Sequence, residues 1–274
     1  MVQAGNLGRG HSSGDGFANQ AAYTAAAIDE RTVKALLLNG AVKPAGWTNS
    51  YSINGSTYTF NSVAATTTTP LDPRYGSGEL NVDNSYNNLA AGRVVASATN
   101  SSSTALTSPT ISQHEGWDFS NITSGGTSNI AHYVFDLSNP NQTYNLTSTL
   151  VWNAQTLAQV SGNSLSFAEA LNNIDLNLYN STGTEIASSA SSVDNLQQLY
   201  VLGLTSGIYD LQVVDMGRAA WVDALLGTPA PSTTDPYALA FNFQAVPEPT
   251  VAMLMLLGCS ALPLLRRGFR NSRR

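Results

Sequence analysis

Between residues 130 and 245 apolar side chains recur at every second position, in short runs separated by turn residues. Tyr133, Phe135 and Leu137 alternate with His132, Val134 and Asp136. Leu146, Leu150 and Trp152 fall on one face of the next run. Ile174, Leu176 and Leu178 alternate with Asp175 and Asn177, and Tyr209, Leu211 and Val213 with Asp210 and Gln212. Tyr237, Leu239, Phe241 and Phe243 end the series. A strand sends successive side chains to opposite faces, so each run offers one apolar and one polar face. Gly183 and Ser206-Gly207 supply turns. A parallel sheet needs crossover helices between its strands, and these gaps have no room for them. The pattern predicts a mainly β fold, an antiparallel β-sandwich of jelly-roll-like type over residues 105–245.

Charge narrows the function. Only 11% of residues are charged, against roughly 25% in an ordinary soluble domain. A hydrophobic share of 42% argues against disorder. The net charge of -6 is an average of two regions: Arg266, Arg267, Arg270, Arg273 and Arg274 all lie at the carboxy end. Without residues 246–274 the chain has 7 basic against 17 acidic side chains, a net of -10. Nucleic acid is excluded as a partner, because it needs clustered Lys and Arg on a folded surface. The single cysteine, Cys259, excludes an internal disulfide and a cysteine metal site. The remaining polarity is Ser, Thr, Asn and Gly, as in an exported bacterial β-protein.

Ahead of the sandwich, residues 1–20 read as a glycine-rich loop. Residues 21–39 read as helix in two pieces, with Val33, Leu36 and Leu37 as an apolar stripe that Ala35 and Leu38 widen. Asp29 and Glu30 mark a start, and Asn39-Gly40 a stop. Tyr51 to Phe60 reads as a hairpin about Asn54-Gly55. Residues 79–91 read as a further helix anchored by Leu80, Val82, Tyr86 and Leu89. A serine-rich joint at 100–104 is the expected domain boundary.

The carboxy end runs Val246-Pro247-Glu248-Pro249, then an uncharged apolar stretch over residues 250–265, then the arginines. As a helix that stretch spans roughly 24 Å against a hydrocarbon core of roughly 30 Å, a short transmembrane helix with its basic end on the cytoplasmic side. The order closely resembles the PEP-CTERM sorting signal of Gram-negative bacteria. The resemblance makes Pro247, Glu248 and Pro249 the sorting motif and the five arginines its basic tail. It implies an exosortase-type processing enzyme as partner, the inner membrane during export, and a final place at the cell surface or outside the cell. A signal peptide should accompany it, but residues 1–16 contain no apolar core of the kind a leader carries.

Residues 31–41 and residues 71–82, followed by Ser85-Tyr86, resemble the late helix, the Gly-x-Gly turn and the final helix of a subtilisin-like serine peptidase domain. On that resemblance Gly76 and Gly78 allow a tight reversal. Gly116-Trp117-Asp118-Phe119, Leu150-Val151-Trp152-Asn153, the run from Ile174 to Tyr179, Ser192-Val193-Asp194-Asn195 and the run from Gly207 to Val213 resemble the accessory β-sandwich that follows many bacterial subtilases. The expected organisation is a helical remnant of the peptidase domain at 1–98, the sandwich at 105–245 and the sorting signal at 246–274. The family's nucleophile lies in a Gly-Thr-Ser pattern; His11-Ser12-Ser13-Gly14-Asp15 does not match it, and no catalytic residue is carried over. The parent architecture would be a serine endopeptidase, with this chain inactive by itself. Its amino-terminal parts, leader included, would be absent together, so residues 1–95 are expected to pack poorly without the missing sheet.

His11, Ser12 and Asp15 make a triad by letter, but one loop offers no separate elements to position them. His114, Glu115 and Asp118 could bind a metal, although a polar mouth of the sandwich suits them better, and His132 reads as a strand-surface residue. Asp175, Asn177, Asp194 and Asn195 carry calcium-type oxygens without a dedicated spacing, so turn hydrogen bonding is the expectation and no cofactor is assigned. Trp47, Trp117, Trp152 and Trp221 could stack on sugars, with Trp152 expected in the core. Two functions remain. One is an exported, non-catalytic carboxy-terminal part of a subtilisin-like peptidase. The other is a surface or matrix protein whose sandwich binds polysaccharide or protein.

Overall fold

A computed structural model describes residues 1–48, 51–53, 56–58, 70–125, 127–161, 164–218 and 234–246. The sorting motif, the apolar run at 250–265, the arginine tail and Trp221 lie outside the described residues. Among the described residues no helix is long and apolar enough to cross a membrane.

Two antiparallel sheets form the body. The first holds β11 (Leu196–Thr205), β6 (Thr143–Trp152), β13 (Thr234–Val246) and β4 (Glu115–Thr123), in that order. The second holds β10 (Glu185–Ser189), β9 (Asn172–Asn180), β12 (Ile208–Arg218), β5 (Ile130–Asp136) and β3 (Ala98–Asn100). Leaving out the short edge strand β3, the first sheet takes the first, eighth, third and sixth of these strands along the chain. The second takes the second, seventh, fourth and fifth. That is the winding of a jelly roll, as the alternation led one to expect. The hairpin of β7 (Gln155–Ser161) and β8 (Ser164–Ala170) carries the chain from one sheet to the other. A small hairpin of β1 (Tyr51–Ile53) and β2 (Ser56–Tyr58) stands where the Asn-Gly signal put it.

The period-two side chains make the core. Tyr133, Phe135, Leu146, Leu150, Trp152, Ile174, Leu176, Leu178, Leu211, Val213, Leu239 and Phe241 are all buried in one cluster between the sheets. Burial of side chains like these contributes about 1.5–3 kcal/mol each before entropy is counted.

A third layer covers part of the first sheet from outside. It is built from α2 (Gln20–Ala27), α3 (Glu30–Asn39) and α4 (Val82–Ala91), with the short α1 (Val2–Asn6) beside α2. Asn19, Asp29 and Asn81 cap these helices by accepting from Ala22, Arg31 and Asn84 amides, which satisfies donors a helix start leaves open. β13 sends large side chains inward and Ala238 and Ala240 outward, so α3 can lie close against it. Tyr23, Ala35, Leu36 and Leu89 meet Trp117, Val151, Ala238 and Ala240 in a second core.

This layer corrects the expectation that residues 1–95 pack poorly: Tyr23, Leu36 and Leu89 are fully buried against the sandwich itself. The joint at 100–104 does not separate two bodies, because β3 lies before it and pairs with β5. Residues 1–20 are not all loop, since α1 begins at Val2. The anchors of α4 also differ. Leu80 (66%) and Val82 (55%) are exposed, and Tyr86 lies on the same solvent side, while Ser85, Asn88 and Leu89 face the sheet. Gly76 and Gly78 have φ of +57° and +118°, a region that favours glycine. A Cβ on Gly78 would stand 2.4 Å from the Val42 carbonyl oxygen.

A buried ion pair ties the layers together. Arg93, just after α4, donates through Nε to Asp118 at 2.6 Å. Its other nitrogens reach the carbonyls of Asp15 and Phe119, and it lies 4.2 Å from the Phe17 ring centroid. Tyr133 donates to the second Asp118 oxygen at 2.6 Å, and the Tyr133 and Tyr237 hydroxyls are 2.7 Å apart. Burial pushes the Asp118 carboxyl up, while Arg93 and Tyr133 pull against it. Arg93→Met leaves a buried charge without its partner and is expected to lower the unfolding free energy by about 3–5 kcal/mol. Urea denaturation of the full chain measures this, and a loss below about 1 kcal/mol would show that the pair does not hold the layers.

Candidate functional site

The outer face of the first sheet changes character along its strands. One row across it reads Leu196, Val151, Ala238, Phe119, and the next reads Gln198, Thr149, Ala240, Trp117. The helices lie on these. The third row reads Tyr200, Thr147, Asn242, Glu115, and beyond it Asn145 pairs with Gln244. Here the helical layer ends, and a cavity of about 180 Å³ opens between the sheet and the segment leaving α3.

The cavity is lined by amides. Asn145, Thr147, Asn242, Gln244 and Tyr200 come from the sheet, Asn39 and Lys43 from the end of α3 and after it, and Asn84 from α4. Three of them are held by neighbouring groups. Asn84 donates to the Gly40 carbonyl at 3.2 Å. Asn145 accepts from the Gly203 amide at 3.0 Å. Asn242 donates to Glu115 at 3.3 Å. Asn39 differs. It is 4% exposed, its Oδ1 lies 3.4 Å from the Thr149 hydroxyl, and its Nδ2 has no hydrogen-bond partner among the described residues. A buried donor left without a partner costs about 1–3 kcal/mol, and because Asn39 Nδ2 is closed off from solvent this is a cost of the packing beneath the cavity.

Tyr200 and Lys43 form the cavity's side wall, with Trp47 packed against both. Trp47 and Tyr200 meet edge to face at 5.2 Å, and Trp47 Nε1 donates to the Gly76 carbonyl at 2.9 Å. Lys43 Nζ lies 5.2 Å from the Trp47 centroid and 5.9 Å from that of Tyr200. It donates to the Ser77 carbonyl at 2.5 Å. Burial pushes the Lys43 amine down to about 7. Amide donors and acceptors beside the Tyr200 ring suit a small polyhydroxylated group. The volume lies below the ~300–1,000 Å³ of drug-sized sites, so one unit or chain end is the limit.

The residues singled out in the sequence distribute differently. His11 and Asp15 do meet, at 2.6 Å, and Asp15 also accepts from the Ser12 and Phe17 amides. The expectation that one loop would leave them unpositioned is corrected: Asp15 organises the loop around itself. His114, Glu115 and Asp118 diverge. His114 packs edge to face on Tyr144, Glu115 holds Asn242, and Asp118 is buried with Arg93 rather than at a polar mouth. His132 is not a surface residue either. It is fully buried, 2.8 Å from Asp210 and 3.2 Å from Asn100, beneath the segment that follows β3. Asp175 and Asn177 lie on β9, while Asp194 and Asn195 lie in the loop before β11, where Ser191 donates to Asp194. Burial, with Asp215 and Glu185 near, pushes Asp175 up to about 7. Among the described residues no group of three or more His, Cys, Asp or Glu side chains is placed to hold a metal. Trp117 and Trp152 are both core, while Trp47 packs on Tyr200 and Lys43, which line the cavity, and is not itself part of the lining.

None of the amides of the cavity was marked by the sequence reading. The signal lay in the polar partners of the apolar alternation, Asn145 and Thr147 in one strand and Asn242 and Gln244 in the other. Asn39→Leu removes the open donor and keeps the volume, losing only the long contact to Thr149. Unfolding stability is expected to hold or to rise by up to about 1 kcal/mol. Thermal denaturation of the full chain checks this, and a clear loss would make Asn39 a structural residue.

No family model matches the chain, and no curated protein matches it. Among solved structures, similarity is found to the Aeromonas hydrophila protein PliG, a periplasmic lysozyme inhibitor of g-type lysozyme. It is 16% identical, with a TM-score of 0.24, over 48% of this chain and 87% of that one. A likeness at this level carries no argument about function.

Proposed function

We propose that this chain is an exported, non-catalytic binding module: the accessory region of a subtilisin-like peptidase architecture, delivered through a PEP-CTERM signal, whose sandwich holds a small polyhydroxylated unit of a polysaccharide. The cavity lined by Asn84, Asn145, Asn242 and Gln244 beside Tyr200 and Lys43 is the observation that carries the binding role. The sorting role rests on Pro247, Glu248 and Pro249 followed by the apolar run and the arginines. The peptidase kinship rests on the resemblance of residues 31–41 and 71–82 and agrees with the glycine turn at Gly76 and Gly78. The helical layer also turns Leu7, Leu80 and Val82 to solvent, as a segment from the edge of a larger domain would.

Binding of the full chain to an oligosaccharide array tests the first part. Retention of a saccharide, weakened about tenfold or more by Asn242→Leu without loss of fold, is the expected result; no retained saccharide overturns it. Co-expression with an exosortase-type processing enzyme tests the second. A shortened product that is lost in Glu248→Ala is expected, and an unshortened chain overturns the sorting role.

A further inference from the structure

We infer that the cavity selects an acidic saccharide, a uronate-type unit whose carboxylate pairs with Lys43 while its hydroxyls meet the surrounding amides. This rests on the binding role proposed above and names the substrate class of the same site. An ammonium has three donors. Lys43 gives one to the Ser77 carbonyl and turns its charge toward the Trp47 and Tyr200 rings. No carboxylate forms an ion pair with it among the described residues. Yet it lines the cavity and is partly withdrawn from water, where a charge is costly until it is paired.

The acids on the neighbouring elements do not supply that pair. Asp72 accepts from the Thr48, Arg74 and Tyr75 amides and from the Arg74 side chain. Glu79, across the bridge from Val42, is exposed, as is Asp83 on α4. Glu115 holds Asn242 at the far end of the third row. Tyr200 is the remaining titratable group at the wall. A ligand carboxylate pairs with Lys43, and the amide donors and acceptors not used on Gly40, Gly203 and Glu115 remain for hydroxyls, since each amide carries both. The acidic body, with its net of -10 outside residues 246–274, opposes a densely charged polymer. The fit is therefore to one acidic unit at a chain end.

A pH signature follows. Burial holds the free Lys43 amine at about 7, and a bound carboxylate favours its charged form. Binding near neutral pH must then take up a proton, and affinity must fall as pH rises through 7. The test is calorimetric titration of the full chain with a disaccharide ending in glucuronic acid and with its glucose-ended counterpart, at pH 6 and pH 9. At least tenfold preference for the acidic sugar at pH 6, lost at pH 9, is expected. Lys43→Gln should abolish the difference between the sugars, and Lys43→Arg should keep it without the pH dependence. Equal affinity of the two sugars at both pH values overturns the inference and leaves the binding role standing. Binding of neither overturns both. Preference for a sulfated or phosphorylated sugar over the uronate keeps an anion site and overturns the assignment to a carboxylate.

Discussion

A carboxylate is buried between the two sheets at the edge strand β4, and the arrangement of the rest depends on its being paired. Asp118 points from β4 into the space between the sheets, where it accepts from Tyr133, whose hydroxyl in turn meets that of Tyr237. Its counter-charge does not come from the sandwich. Arg93 belongs to the chain leaving the helical layer and reaches past the edge of β4 to make the bond. The same guanidinium gathers the Asp15 carbonyl and the Phe17 ring. One desolvated pair therefore fixes the position of the amino-terminal loop, the end of α4 and the edge strand at once. Removing either partner exposes the other to the full cost of burial.

That tether explains why the helices cover only part of the sheet. Trp117 lies next to Asp118 in β4 and faces the opposite way, into the cluster with Tyr23 and Leu89. The layer is thus pinned over the rows that carry Val151, Ala238 and Ala240. Two rows further along the strands, the outward residues become Thr147, Asn242, Asn145 and Gln244. The chain leaving α3 overhangs these positions without filling the space, and the polar cavity is what remains. Binding capacity here comes from the limit of a packing interface, with Asn39 as the last residue of the helix that makes it.

Local features were legible in the sequence because local physics sets them. The alternation through Ile174, Leu176 and Leu178 located β9, and Asp29 located the start of α3 through its side-chain cap. Misreadings came where a residue's environment was built by distant chain. Leu80 and Val82 suggested an apolar face for α4, but the face that meets the sheet is Ser85, Asn88 and Leu89. His132 alternates with apolar neighbours as a surface residue should, yet Asn100 and the segment up to Leu106 lie over it and bond to it and to Asp210. Asp118, by its charge, reads as outward facing.

The sequence by itself determined the alternating strands, the turns at Gly76 and Gly78, the helices on either side of Asp29 and the split of charge between an acidic body and a basic end. Each of these follows from residue spacing, backbone freedom or composition within a few positions of chain. Only the tertiary structure decided which outward faces are covered, which acid is buried and where the amides converge. Those outcomes depend on hydrogen bonds between residues far apart in sequence: Asn39 with Thr149, His132 with Asp210, Arg93 with Asp118. The desolvation of a polar group, and so its energy, is set by the layers that close over it and not by its neighbours in the chain.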